Sequence, residues 1–234
     1  MMAQPPARPA SAEITAFLAR AAAVPAVRPA THRPGRLLFA VDATASRQAS
    51  WDRACHLQTE MFQAAAAHGG LEVQLAYYRG FGEFAATPYL SDGAALARRM
   101  AGVRCLGGQT QIGRVLDHAL RETALRKLAA LVFVGDAVEE EADPLCHLAG
   151  QLGLRGTPAF TFQEGSNPAA TAILRQVARL SGGAHAPFDS GSAGALRDLL
   201  RAVAVYAAGG RAALGLLSTG GARALAAQLP APRA

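Results

Sequence analysis

The sequence is poor in two reactive side chains: it has one lysine, Lys127, and three cysteines, Cys55, Cys105 and Cys146. An odd cysteine count, with spacings that fit neither a zinc knuckle nor a disulfide framework, excludes both of those cysteine-based folds. Free thiols are typical of a reducing compartment, so we expect a cytoplasmic protein. There is also no phosphate-binding loop of the Gly-x-x-x-x-Gly-Lys type, which argues against a nucleotide hydrolase of that class.

Long apolar runs are missing as well. No stretch of about 20 apolar residues is free of charge, so we expect no membrane span. The apolar segment 14–27 is interrupted by Arg20 and lacks the compact charged start of a secretory signal peptide. Hydrophobic residues nevertheless make up 51% of the 234 residues, which is enough to bury the core of one α/β domain.

The positive charge of the chain lies mostly outside its patterned region. The formal net charge is +6, of which residues 1–36 carry +4 and residues 209–234 carry +3, leaving −1 for residues 37–208. Nucleic-acid-binding domains normally concentrate Lys and Arg on the folded surface, so we expect no nucleic-acid partner. The same pattern predicts an Ala/Pro/Arg-rich extension over 1–35, a folded domain over 36–208 and a weakly specified C-terminal tail over 209–234.

Within the patterned region, short apolar runs alternate with amphipathic segments. The runs predict six strands, at 37–41, 71–78, 83–87, 130–134, 158–162 and 184–188. The amphipathic segments predict helices at 48–68, 91–101, 110–127, 143–152, 168–180 and 193–207. This alternation is typical of a doubly wound α/β fold, a mostly parallel central sheet with helices on both faces.

Two of the most apolar strands each end on a carboxylate, at Asp42 and at Asp136. Ligands of open parallel sheets bind at the carboxyl ends of the strands, so we expect these two residues at the same edge. Asp42 is followed at alternate positions by the hydroxyls of Thr44 and Ser46. Carboxylates combined with neutral hydroxyls suit Mg²⁺ or Mn²⁺ better than zinc, which prefers nitrogen and sulfur ligands.

These residues resemble the metal-ion-dependent adhesion site (MIDAS) of von Willebrand factor A (VWA) domains. The family has Asp-x-Ser-x-Ser after the first strand, a Thr in a Gly-rich loop before a helix, and an Asp at the end of the fourth strand. The matching elements here are Asp42-x-Thr44-x-Ser46, Gly107-Gly108-Gln109-Thr110 and Val134-Gly135-Asp136, in the same order. The resemblance spans residues 36–208, and the Thr at position 44 departs from the family's Ser while keeping the hydroxyl.

The resemblance implies a bacterial intracellular VWA domain that binds a protein partner and is not an enzyme. Asp42, Ser46 and Thr110 would be the main ligands of Mg²⁺ or Mn²⁺, with Thr44 and Asp136 binding directly or through water. A Glu or Asp of the partner would fill the ion's open position.

Two other interpretations remain open at this stage. A phosphohydrolase of the haloacid dehalogenase type also places an Asp after its first strand, but it usually has a second carboxylate where this chain has Thr44, and a later lysine. A scaffold that kept the fold without binding metal is the third possibility. The run Glu139-Glu140-Glu141 is predicted to be a solvated helix start, favoured by the helix dipole, rather than part of the site.

Overall fold

The computed structural model describes residues 33–48, 51, 58–189 and 193–231. The strands are β1 (Gly35–Asp42), β2 (Leu71–Arg79), β3 (Glu83–Ala86), β4 (Ala130–Gly135), β5 (Ala159–Glu164) and β6 (His185–Phe188). The helices are α1 (Gln58–Ala66), α2 (Gly93–Ala101), α3 (Ile112–Leu125), α4 (Ala142–Leu154), α5 (Pro168–Ser181), α6 (Ala193–Gly215) and α7 (Gly220–Ala226), with a 3-10 helix at Ala45–Arg47. Most of the predicted extension over 1–35, and part of the predicted helix over 48–68, lie outside the described residues.

The strands form one sheet in the order β3-β2-β1-β4-β5-β6. β1 pairs in parallel with both β2 and β4, and β5 and β6 continue the parallel arrangement. Only the hairpin partner β3 is antiparallel among these strands. Apolar runs such as those of β1 and β4 are typical of strands that are buried on both faces. The predicted doubly wound fold is therefore confirmed.

Side chains that alternate along β1 supply two separate cores, one on each face of the sheet. Leu37, Phe39 and Val41 pack with apolar residues of α1, α2, α6 and α7. Leu38 and Ala40 pack with apolar residues of α3, α4 and α5. Burial of each large aliphatic side chain contributes about 1.5–3 kcal/mol, so the two helical layers hold the central strands firmly in place.

Residues 209–231, the described part of the predicted tail over 209–234, are packed, which corrects the expectation of a weakly specified tail. α6 continues past a break at Gly210, whose φ of 71° is readily adopted only by glycine, and α7 follows it. Leu214, Leu225 and Leu229 are buried in the core. The predicted domain boundary at residue 208 is therefore wrong. The signal was weak because small Ala and Gly residues pack closely without forming a strong apolar stripe.

Gln228, two residues beyond α7, ties this segment to the edge strand β6. Its side-chain oxygen accepts a hydrogen bond from the His185 backbone N–H at 3.0 Å, and its amide nitrogen donates to the His185 carbonyl at 2.9 Å. The side chain thus completes the backbone pairing of β6 as an additional strand would.

Across the described part of the chain, no single helix is long and apolar enough to cross a membrane. Only α6 and α7 taken together, across a bend of 86°, reach that length and composition.

Candidate metal centre

The two predicted carboxylates lie next to each other at one edge of the sheet. β1 and β4 are adjacent and parallel, with Val41 opposite Val134, so Asp42 and Asp136 leave the sheet at neighbouring positions. They line a pocket of about 230 Å³. Its other lining residues are Thr44, Ala45, Ser46, Gly107, Gly108, Thr110, Ala137 and Glu139. The structure thus brings all five predicted site residues to one place.

Asp42 is fully buried and only half satisfied by hydrogen bonds. Its Oδ1 accepts a hydrogen bond from the Thr44 backbone N–H at 2.7 Å, while Oδ2 is buried with no hydrogen-bond partner among the described residues. Burial raises the pKa of the Asp42 carboxyl, and the nearby Asp136 raises it further, whereas the hydrogen bonds from Thr44 and the neighbouring Tyr78 hydroxyl lower it. The Tyr78 hydroxyl is close to this carboxyl but makes no well-formed hydrogen bond with it. A buried carboxylate oxygen without a partner is costly unless something of positive charge binds there.

Asp136, which directly follows β4, resembles Asp42 in its hydrogen bonding. Its Oδ1 is also buried without a hydrogen-bond partner within the described residues. The residue before it is glycine, and a Cβ at Gly135 would lie 2.7 Å from the Phe133 ring and 3.6 Å from Cβ of Asp42. Glycine therefore allows the chain to leave β4 close beside Asp42. Two adjacent carboxylates that line the same pocket thus each have a buried oxygen without a hydrogen-bond partner.

The hydroxyls of Thr44 and Ser46 lie 3.3 Å apart in the loop that leaves β1. Thr44 is the N-cap residue of the 3-10 helix, but its side chain makes no capping hydrogen bond. A simple capping role, which is the usual reason for a Thr at such a position, is therefore not observed for its hydroxyl. Both hydroxyls line the pocket and can present lone pairs to a cation.

Thr110 lies at the same pocket but is already hydrogen-bonded to the acidic run after β4. Its hydroxyl donates to Glu140 Oε2 at 2.8 Å and accepts from the Glu139 backbone N–H at 2.9 Å. Its own N–H donates to Glu139 Oε2 at 2.9 Å, and Gly113 N–H donates to Glu140 Oε1 at 2.7 Å. A hydroxyl has two acceptor lone pairs, so Thr110 keeps one for a further ligand.

These contacts correct the prediction that the run Glu139-Glu140-Glu141 is only a solvated helix start. Glu139 and Glu140 instead bind backbone N–H groups at the start of α3, an element far from them in sequence. Carboxylates there satisfy orphan donors and complement the helix dipole. Glu141 alone fits the prediction: it is exposed and makes no side-chain capping bond. The acidic run itself was visible in the sequence, but its partner was not.

A buried arginine beside the pocket was missed by the sequence analysis. Arg47 directly follows Ser46, is 1% exposed, and forms an ion pair with Glu164 at the end of β5. Burial lowers the pKa of its guanidinium, while the neighbouring Asp136 and Asp42 carboxylates oppose that shift. A buried charge is tolerated only where it is paired, so Arg47 and Glu164 form one unit next to the candidate ligands.

The Gly-rich loop reaches the pocket because it lies directly against the β2–β3 turn. A Cβ at Gly108 would lie 2.0 Å from the Gly80 carbonyl oxygen. This would be a severe steric clash, so only glycine fits at this position. The Gln109 backbone N–H donates to that same oxygen at 3.2 Å. The loop that carries Thr110 is therefore fixed against the turn after β2.

The donor set fits a hard divalent cation. It consists of two carboxylates with unpaired buried oxygens and the hydroxyls of Thr44, Ser46 and Thr110. The described residues contain no cluster of three or more His, Cys, Asp or Glu side chains suited to a metal. All-oxygen ligands with few negative charges suit Mg²⁺ or Mn²⁺, which tolerate waters in the remaining positions.

No protein-family model and no curated protein matches the sequence, whereas solved structures match its fold. The VWA domain of SpRpn10 matches with a TM-score of 0.54 at 12% identity, over 67% of this chain and 89% of that one. The vWF domain of the pili tip protein Mfa5 from Porphyromonas gingivalis matches with a TM-score of 0.55 at 9% identity, over 74% and 95%. The chain has the VWA fold.

A third match concerns the site position of the VWA fold. Proximal thread matrix protein 1 from the mussel byssus was solved with a zinc-occupied MIDAS motif. It matches with a TM-score of 0.53 at 14% identity, over 74% of this chain, which spans 46% of that protein. At such identities the likeness establishes the fold alone, so the metal centre of this chain is inferred from its own residues.

Proposed function

We propose that this VWA domain is a metal-dependent protein-binding module. Asp42, Thr44, Ser46, Thr110 and Asp136 would hold Mg²⁺ or Mn²⁺, and a Glu or Asp of a protein partner would complete the coordination. The observation that carries this proposal is the pair of adjacent carboxylates, Asp42 and Asp136, each with a buried oxygen that has no hydrogen-bond partner. Such a pair is unfavourable alone and becomes favourable around a cation.

The mix of ligands supports capture of an external carboxylate. Asp42 and Asp136 offset the charge of a divalent ion, while the three hydroxyls coordinate it without adding negative charge. When bound, the ion supplies an electrophilic position that attracts another anionic oxygen. Because the pocket is small and open to solvent, we expect weak binding of the ion alone and tighter binding when a partner's carboxylate is present. Metal and partner should then strengthen each other by the same factor.

The haloacid dehalogenase interpretation gains no support from the structure. Thr44 occupies the position where that chemistry uses a second carboxylate. Lys127 hydrogen-bonds the carbonyls of Arg155 and Gly156, in the loop before β5, at the opposite end of the strands from Asp42. We therefore propose a non-enzymatic role for the site.

Isothermal titration calorimetry with Mg²⁺ and Mn²⁺ tests the proposal directly. We expect binding to the wild-type chain and none to Asp42→Ala, with normal binding to the matched control Asp117→Ala, whose side chain is half exposed on α3 away from the pocket. Circular dichroism should show both variants folded, because Asp42→Ala removes a buried carboxylate oxygen that has no hydrogen-bond partner and is unfavourable without an ion. Equal metal binding by wild type and Asp42→Ala would refute the proposal.

The partner half of the proposal has its own measurement. Partner proteins that bind the immobilised wild-type chain in Mg²⁺ should be released by EDTA. They should not bind the immobilised Asp42→Ala variant. Capture that persists unchanged in EDTA would show that partner binding does not depend on the ion.

A further inference from the structure

Two large apolar side chains are exposed beside the candidate metal centre. Phe81 is 81% exposed at the tip of the β2–β3 turn, and Leu106 is 42% exposed in the loop that leads to Thr110. Leu106 precedes Gly107, which lines the metal pocket, and its N–H donates to the carbonyl of Ala43 at 3.0 Å. The two loops that carry them are in contact through Gly80 and Gly108, and apolar side chains that are exposed together beside polar groups mark a binding surface.

The turn that carries Phe81 is held in place. Gly80 on one side of Phe81 accepts a hydrogen bond from the Gln109 N–H, and its carbonyl lies against Gly108. On the other side, the Arg114 guanidinium donates to the Gly82 carbonyl at 2.6 Å. The backbone on both sides of Phe81 is therefore fixed beside the Gly-rich loop, so little backbone entropy is lost when a partner packs on this side chain.

The charges around the pocket are divided between its two sides. The exposed side chains of Arg104 and Arg114 lie on the side of Phe81 and Leu106. The one carboxylate described on that side, Glu83, is paired with Arg79, which also donates to the Arg104 carbonyl. Neither Arg104 nor Arg114 forms an ion pair with a described residue. Glu139 and Glu141 are exposed on the other side, after β4. An acidic segment would thus be attracted to the first side and repelled from the second.

We infer, on the basis of the proposed function, that the partner docks through a short acidic-apolar segment. One acidic residue completes the metal site, an apolar side chain one or two residues away packs on Phe81 and Leu106, and a further acidic residue faces Arg104 and Arg114. We call Phe81, Leu106, Arg104 and Arg114 of this chain the rim. Charge complementarity selects the rim side, and apolar burial adds affinity that a lone carboxylate lacks.

The test is selection from a phage-displayed library of random 12-residue peptides on the full chain in MgCl₂, with EDTA as the counter-selection. We expect the Mg²⁺-dependent peptides to share an acidic residue with an apolar neighbour and a second acidic residue. Synthetic copies should bind Phe81→Ser about tenfold more weakly than wild type, by fluorescence anisotropy. They should bind the matched control Leu216→Ser, which is equally exposed at 81%, as wild type does.

A second pair of variants tests the charges. Arg104→Gln with Arg114→Gln should weaken binding and reduce its dependence on salt, whereas Arg155→Gln, at the opposite end of the strands, should not. Calorimetric Mg²⁺ binding should be intact in every rim variant, which separates loss of the rim from loss of the metal site.

Each other outcome overturns the inference. Mg²⁺-dependent peptides without an apolar neighbour, bound equally by Phe81→Ser, would leave the proposed function standing and refute the rim. Peptides that bind equally in EDTA, or an absence of Mg²⁺-dependent peptides, would refute the proposed function and the inference with it. A Mg²⁺-dependent dimer in sedimentation that Phe81→Ser abolishes would identify a second copy of this chain as the occupant and refute the acidic segment.

Discussion

Arg47 places a permanent positive charge beside a site that is proposed to bind a cation. Its guanidinium pairs with Glu164, and its charge also acts on Asp42 and Asp136. In the absence of an ion, Arg47 therefore offsets part of the repulsion between the two aspartates. If an ion binds as proposed, the charge of Arg47 opposes that of the ion and should lower its affinity.

Replacement of Arg47 tests this role. Arg47→Met should lower the free energy of unfolding by about 3–5 kcal/mol in urea titrations, because Glu164 loses the cation that compensates its buried charge. The double variant Arg47→Met with Glu164→Gln should recover more than half of that loss. Arg155→Met, at an exposed position, is the control. A loss for Arg47→Met no larger than that of the control would contradict the structural assignment of the pair.

The sequence predicts side chains at strand ends much better than it predicts their partners. Asp42, Thr44, Ser46, Thr110 and Asp136 could all be located, because each lies at a boundary that apolar runs and glycines mark. The pairing of Arg47 with Glu164, and that of Thr110 with Glu139 and Glu140, could not. Both pairings depend on how β4 and β5 are placed beside β1, and no local pattern records that placement.

At the scale of elements, the start of α3 depends on carboxylates from the loop after β4. Glu140→Gln should lower stability by about 1–2 kcal/mol, because the amide keeps the shape but weakens the charge-assisted bonds to Thr110 and Gly113. Glu141→Gln, one residue away and exposed, should change stability by less than about 0.5 kcal/mol. Thermal and urea unfolding measure both. Equal effects of the two variants would show that Glu140 does not cap α3.

α7 and the residues after it should be required for folding. A chain that ends at residue 218 loses the buried Leu225 and Leu229 and the hydrogen bonds of Gln228 to β6, together worth roughly 5 kcal/mol or more. Since domains are stable by about 5–15 kcal/mol, we expect a large drop in melting temperature or no folding. A chain that ends at residue 231 should melt as the full chain does. Equal melting of both truncated chains would show that α7 and the residues after it do not contribute to the core.

The strands were easier to predict than this C-terminal helical segment for a physical reason. β1 and β4 consist of large apolar residues that are buried on both faces, a pattern visible in five or six positions. The segment around α7 buries Ala222 and two leucines four residues apart, Leu225 and Leu229, which is too few apolar positions to form a clear pattern. Its helical packing becomes evident only against α6 and β6.

At the scale of the whole molecule, ion binding should appear as stability. A ligand present at 100 times its dissociation constant stabilises the native state by about 2.7 kcal/mol, which corresponds to a rise of roughly 5–10 °C in melting temperature at this size. Calorimetric scans in MgCl₂ should show this rise, and EDTA should reverse it. NaCl of equal ionic strength is the control, and Asp42→Ala should show no rise. A similar rise in NaCl, or in Asp42→Ala, would indicate a general salt effect.

The central position of β1 and β4 in the sheet determines how that stability is distributed. Backbone amides of strands with neighbours on both sides exchange hydrogen with solvent only when the whole molecule opens, whereas edge strands exchange through local fraying. Asp42 and Asp136 lie at the ends of two such inner strands, so a bound ion should slow exchange in β1 and β4. Exchange at the edges, in β3 and β6, should stay unchanged. Binding of the ion and partner would then be detected as slower hydrogen exchange in the interior of the sheet, away from the surface that contacts the partner.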